Sequence, residues 1–147
     1  ASDVYKRQAE QAEHVELDAD FSSRTVRRID QSIAMGALFT AHQLGAKAIV
    51  ALTASGSTAL WMSRHRIDIP IYALTPSLAT QRRMALIRNV RPLLMDESDD
   101  RDVALAQAET HLKKRGIVDT GDVYAITCGE PMGSPGGSNM LKICRAG

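Results

Sequence analysis

Apolar positions along this chain switch between two periods. Ile29, Ile33, Ala37, Ala41 and Leu44 recur at three- and four-residue steps, which predicts one buried helix face. Gly45 follows where a left-handed C-cap glycine belongs. Lys47 to Thr53, K-A-I-V-A-L-T, is then a near-continuous apolar run, and its length predicts a strand buried on both faces. Ser55-Gly56-Ser57-Thr58 interrupts the run, and a helix reads from Thr58 to about His65. Ile69 to Thr75 predicts a second strand, with Pro70 at its entry, where a missing N–H does least harm. Pro76-Ser77 opens another helix with Ser77 as N-cap and Leu78, Met84, Leu86, Ile87 and Val90 as its apolar residues. Arg91 to Met95 reads as a third strand.

The acidic run Asp96 to Asp102 suggests either a metal site or the first turn of a helix. The dipole rule favours the helix. Ala104, Leu105, Ala108 and Leu112 form its apolar face, Lys113 to Arg115 its basic last turn, and Gly116 its close. Asp122 to Cys128 is a fourth strand, Glu130 to Ser138 a glycine- and proline-rich loop, and Met140 to Arg145 a fifth strand. Strands alternating with helices predict an α/β three-layer sandwich. Its five-stranded, mostly parallel sheet has order 3-2-1-4-5, with helices on both faces. The last connection holds no helix, so strand 5 runs antiparallel beside strand 4. Residues 1–17 read as an N-terminal extension or short helix and 18–147 as the α/β domain, with Phe21 the one large apolar group of the linker 18–28.

Composition narrows the function classes. The 147 residues suit one domain, and 44% apolar with 24% charged content is ordinary for a packed globule. A net charge of +1 argues against a nucleic-acid binder held by a basic face. No apolar run approaches a membrane span, and the polar start Ala1 to Gln8 is not a signal peptide. Cys128 and Cys144 fit no zinc or redox spacing and read as reduced strand residues, so a cytoplasmic protein is expected. His14, His42, His65 and His111 form no ligand set, and no metal site is expected in the domain. Ser55 lacks a nucleophile elbow, so no catalytic residue is assigned. Trp61 reads as a core residue.

Ligands of open α/β sheets sit beyond the carboxyl ends of strands, where the strand order reverses. In the predicted order that point lies between strands 1 and 4. The loop after strand 1 holds four hydroxyls in six residues, Thr53, Ser55, Ser57 and Thr58, with Gly56 among them. Such a loop at a helix start fits a phosphate, though it equally fits a plain helix cap, and spacing does not choose between them. The loop after strand 4 has four glycines between Gly129 and Gly137. It is either a functional loop or a hairpin tip. It lacks the G-K-[ST] of a P-loop.

Together these segments resemble the C-terminal domain of pyruvate kinases. The matching stretches are D-Q-S-I-A-M-G-A-L from Asp30, T-A-S-G-S-T-A from Thr53, I-D-I-P-I-Y-A-L-T from Ile67, and R-N-V-R-P from Arg88. G-D-V-Y-A-I-T-C-G from Gly121, followed by the glycine-rich loop and Ser138-Asn139, completes the match. Ile67, Asn89 and Ser138 stand where the family prefers proline, glycine and threonine. The resemblance implies that Thr53, Ser55, Gly56, Ser57 and Thr58 hold a phosphate of an allosteric effector. It implies that a loop of Gly133, Ser134, Gly136, Gly137 and Ser138 closes over it. It also implies subunit contacts through the first helix and last strand in a homo-oligomer, and a parent enzyme that converts phosphoenolpyruvate and ADP to pyruvate and ATP in glycolysis. The barrel that carries the reaction, with its magnesium and potassium ions, is absent from this chain, so the chain is expected to be inactive and to bind no cofactor. Arg24, Arg27, Arg28 and Lys142 are candidate cations for the effector. A purely structural oligomerisation domain with an empty loop is the alternative, and an unrelated flavodoxin-like enzyme is a third reading.

Overall fold

A computed structural model describes residues 28–132 and 137–147. The expected extension 1–17, Phe21, Arg24 and Arg27, and the loop residues Gly133, Ser134 and Gly136 lie outside the described residues.

Among the described residues four helices and five strands follow in the predicted order: α1 (Ile29–Leu44), β1 (Ala48–Leu52), α2 (Ser57–Ser63), β2 (Ile71–Thr75), α3 (Leu78–Met84), β3 (Val90–Leu94), α4 (Arg101–Lys114), β4 (Val123–Gly129) and β5 (Ser138–Arg145). The sheet order is β3-β2-β1-β4-β5. β1 is central and parallel to both neighbours, with Val50 opposite Tyr72 on one side and Ile126 on the other. β5 returns antiparallel to β4, Tyr124 facing Cys144.

Alternation along the strands sorts the core into two layers. Ile49 and Ala51 of β1, with Ile71, Ala73 and Ala125, meet α1, α2 and α3 through Ala34, Ala37, Leu38, Ala41, Ala59, Met62 and Met84. Ala48, Val50 and Leu52, with Tyr72, Leu74, Tyr124 and Ile126, meet α4 through Ala104, Ala108 and Leu112. The first layer is rich in alanine, which lets α1 lie close on the sheet; at Gly36 an added Cβ would sit 3.7 Å from Leu141 of β5.

Two predicted faces are corrected. Ala37 and Ala41 of α1 are buried as expected, but Ile29 is 70% and Leu44 53% exposed, and the face turns instead onto Ala34, Met35 and Leu38. Two overlapping three-to-four registers exist in this helix, and Ile29 and Leu44, its first and last residues, lie off the one that packs. The helix expected to run on to Val90 stops at Met84. Leu86 is exposed, Ile87 only leans on the core, and Val90 already belongs to β3. The turn between them ends at Asn89, whose φ of 62° is left-handed. Asparagine tolerates that region, which accounts for its standing in place of glycine, and its side-chain amide donates to the Ile69 carbonyl at 3.0 Å.

Candidate functional site

The segments after β1 and β4 meet at the switch point. A cleft of about 130 Å³ opens beyond the carboxyl ends of the strands; Thr53, Ser57 and Thr58 line one wall, Gly137 and Ser138 another. The tie between them is a buried hydroxyl pair, Thr58 Oγ1 to Ser138 Oγ at 2.8 Å, across 80 positions of chain. Ser138 thus makes, as serine, a contact that sits at the base of the glycine-rich loop.

The local sequence sets the shape of the first wall. Gly56 takes φ 83°, a backbone conformation glycine adopts without strain, and a Cβ there would lie 2.6 Å from Met84 Sδ. The turn is held by its own hydroxyls. Thr53 Oγ1 accepts the Gly56 N–H at 2.8 Å, so its own O–H remains to donate. The Ser55 hydroxyl donates to Ser57 Oγ at 3.2 Å, leaving the Ser57 hydrogen likewise disposable. The N-cap residue Gly56 has no side chain to cap α2, and Ser55 Oγ accepts the Ser57 N–H at 3.4 Å. Two loop carbonyls, which would repel an anion, are taken up by α3: Thr80 Oγ1 donates to Ala54 O at 2.7 Å and Arg83 Nη2 to Ser55 O at 3.0 Å. Ser55 and Gly56 therefore shape the turn while Thr53, Ser57 and Thr58 line the cleft.

The second wall is pinched at its neck. Asn139 bridges it, its Oδ1 accepting from Glu130 N at 2.9 Å and its Nδ2 donating to Glu130 O at 2.8 Å. A Cβ on Gly129 would come within 2.7 Å of the Gly137 carbonyl oxygen, so the two strands can close only around glycine.

The third wall escaped the sequence reading. The acidic run divides. Asp100 caps α4, accepting from Asp102 N at 2.9 Å and Val103 N at 3.3 Å, as the helix reading required. Asp96, Glu97 and Asp99 instead line the cleft. No group of three acids, cysteines or histidines among the described residues is arranged to hold a metal ion.

Of the four cations named from sequence, Arg24 and Arg27 fall outside the described residues, and the other two lie away from the cleft. Arg28 pairs with Asp30 at 2.7 Å at the start of α1, and Lys142 borders a separate surface depression with Tyr124 and Cys144. Arg83, which no spacing signalled, is a cation that touches the loop. Trp61 packs against the core and stacks on His65, ring centres 4.8 Å apart. Burial pushes the Cys128 and Cys144 thiols and the Tyr124 phenol upward; for Tyr124, a hydrogen bond to Glu109 at 2.7 Å adds to it. These groups stay protonated at neutral pH and offer no nucleophile.

The strand order and the cleft beyond the carboxyl ends of β1 and β4 define the class of the domain, an α/β sandwich with an open switch point. Comparison with known proteins gives the family. The pyruvate kinase α/β domain model matches residues 31–144. A pyruvate kinase of Staphylococcus epidermidis is 39% identical over 112 residues, covering 76% of this chain and 19% of that protein. One from Buchnera aphidicola is 36% identical over 118 residues, covering 80% of this chain and 25% of that protein. The crystal structure of a pyruvate kinase from Cryptosporidium parvum superposes with a TM-score of 0.80 at 25% identity, over 92% of this chain and 26% of that one. The chain belongs to the pyruvate kinase C-terminal α/β domain family. It spans about a quarter or less of the length of these relatives.

Proposed function

We propose that this domain binds a phosphorylated small-molecule effector between the Thr53–Thr58 loop and the glycine-rich loop. In a cytoplasmic pyruvate kinase it would pass that signal to a barrel carrying the reaction of glycolysis. The observation that supports the reading is the Thr58–Ser138 hydroxyl pair, which joins the Thr53–Thr58 loop to the start of β5 beside the cleft. Thr53, Ser57 and Thr58 face a phosphate, Ser55 and Gly56 hold the turn, and Gly133, Ser134, Gly136, Gly137 and Ser138 close over it. The effector acts by binding one quaternary state better than another. Phosphoryl transfer needs groups that position and stabilise the moving phosphoryl, and in this reading the barrel supplies them, so the chain alone is expected to turn over no phosphoenolpyruvate.

A thermal-shift titration with glucose 6-phosphate, ribose 5-phosphate and AMP tests this. A ligand at a hundredfold its Kd adds about 2.7 kcal/mol of stability by mass action. That corresponds to a Tm rise of roughly 5–10 °C for a domain of this size. No rise with any of the three would leave the packing role alone. One feature favours such a role in addition: Ile29 and Leu44 on α1, and Ile143 on the edge strand β5, remain exposed and suit contact between copies of the domain.

A further inference from the structure

The loop after β1 is gripped by a single helix. α3 meets it through Thr80, Arg83 and Met84, which share one helix face. Thr80 is 3% exposed, and its hydroxyl donates to the Ala54 carbonyl at 2.7 Å. Arg83 Nη2 donates twice, to the Ser55 carbonyl at 3.0 Å and to Thr80 Oγ1 at 3.1 Å. The bonds therefore run in a chain from guanidinium to threonine hydroxyl to loop carbonyl. Met84 lies against Gly56. We infer that Arg83 and Thr80 are positioning residues for anion binding by this loop, Arg83 lending its charge through the loop's peptide groups. This rests on the phosphate reading of the loop, although both residues stand outside the cleft's lining.

The reasoning starts from the peptide plane. A trans peptide unit carries its C=O and N–H on opposite sides. Holding the Ala54 and Ser55 carbonyls on α3 therefore turns the Ser55 and Gly56 N–H groups away from it. The N–H end of each unit attracts an anion, and a carbonyl swung round in its place would repel one. Hydrogen bonds from an ionised donor are stronger than neutral ones. Linked bonds also polarise one another, so a guanidinium on the carbonyl side sharpens the N–H donors on the far side. Arg83 is exposed, and salt screens part of this effect. Arg82 beside it is exposed as well, but the bonds to the loop are those of Arg83.

Calorimetric titration of the 147-residue chain with glucose 6-phosphate and with inorganic phosphate tests this. Arg83→Gln is expected to weaken both ligands about tenfold, the loss of a charge-assisted bond. Its urea midpoint should stay within about 0.3 M of the unsubstituted chain, because the side chain is exposed. Arg83→Lys should recover most of the affinity together with its salt dependence. Thr80→Ser keeps the hydroxyl and should bind normally, whereas Thr80→Val should bind several-fold more weakly. Arg82→Gln removes the same charge and should change affinity less than about twofold, since exposed charges are screened. Binding by Arg83→Gln as tight as that of the unsubstituted chain, or no weaker than that of Arg82→Gln, overturns the inference and leaves the phosphate site standing. Failure of the unsubstituted chain to bind either ligand, with a normal unfolding curve, removes the phosphate reading and this inference with it.

Discussion

The hydroxyl pair between Thr58 and Ser138 makes a quantitative claim about how the two loops are joined. Thr58 is 2% exposed and Ser138 8%, and their oxygens are 2.8 Å apart. Thr58→Val keeps the shape and deletes the hydroxyl, which strands the Ser138 oxygen in a largely dry site. Leaving one partner unsatisfied costs about 1–3 kcal/mol. Ser138 retains a sliver of solvent contact, so the lower half of that range applies, about 1.5 kcal/mol. With a urea m-value of about 2 kcal/mol per molar, the midpoint falls by roughly 0.7 M. Trp61, the single tryptophan, reports the transition by fluorescence. Ser138→Ala should cost a similar amount. The double variant removes both groups and leaves none stranded, so its cost should fall short of the sum by at least 1 kcal/mol, since coupled contacts break additivity. Additivity within about 0.5 kcal/mol would refute the claim that these hydroxyls bind each other.

Other consequences are as direct. Gly56→Ala forces a left-handed alanine at about 1–2 kcal/mol. It also drives Cβ into Met84, whose Cγ as well as its tip is within 3.1 Å, so a total above the strain alone is expected in urea unfolding, and a loss under 0.5 kcal/mol, on the order of a neutral surface change, would contradict the turn. Stability should decline in alkali. Burial lifts the Cys128 and Cys144 thiols above their ordinary 9.0 and the Tyr124 phenol above 10.0, so the folded chain holds these protons more tightly than the unfolded chain. Their contribution is whole below about pH 8.5 and shrinks as pH rises, by up to about 1.4 kcal/mol per pH unit for each group. Urea midpoints from pH 8 to 11 measure this. Tyr124→Phe should abolish only the part that begins near pH 10, and a flat profile would refute the assigned burial.

The sheet was legible because each of its signals is local. The run from Lys47 to Thr53, Pro70 before β2, and the absence of a helix between β4 and β5 each fix one element or its direction, while no local signal carries the central place of β1. The two candidate loops were legible for the same reason, since hydroxyls and glycines announce themselves in a short window. What depended on distance in sequence was not legible. Thr80 and Arg83 hold the loop carbonyls from 26 and 28 positions away, and nothing in their neighbourhood signals it. Asp96, Glu97 and Asp99 belong to the same acidic run as the helix cap Asp100, and only the path of the chain separates the two roles. The face of α1 was misjudged because periodicity finds a register but does not say which of two overlapping registers packs on the sheet.

Amide chemical-shift mapping tests the central claim most directly. With glucose 6-phosphate added to the ¹⁵N-labelled chain, the largest changes are predicted at Gly56, Ser57 and Thr58 and at Gly137 and Ser138, saturating together along one binding curve. Changes gathered instead around Lys142 and Arg145 on β5, or none at ligand concentrations in the millimolar range, would contradict an effector site at the switch point.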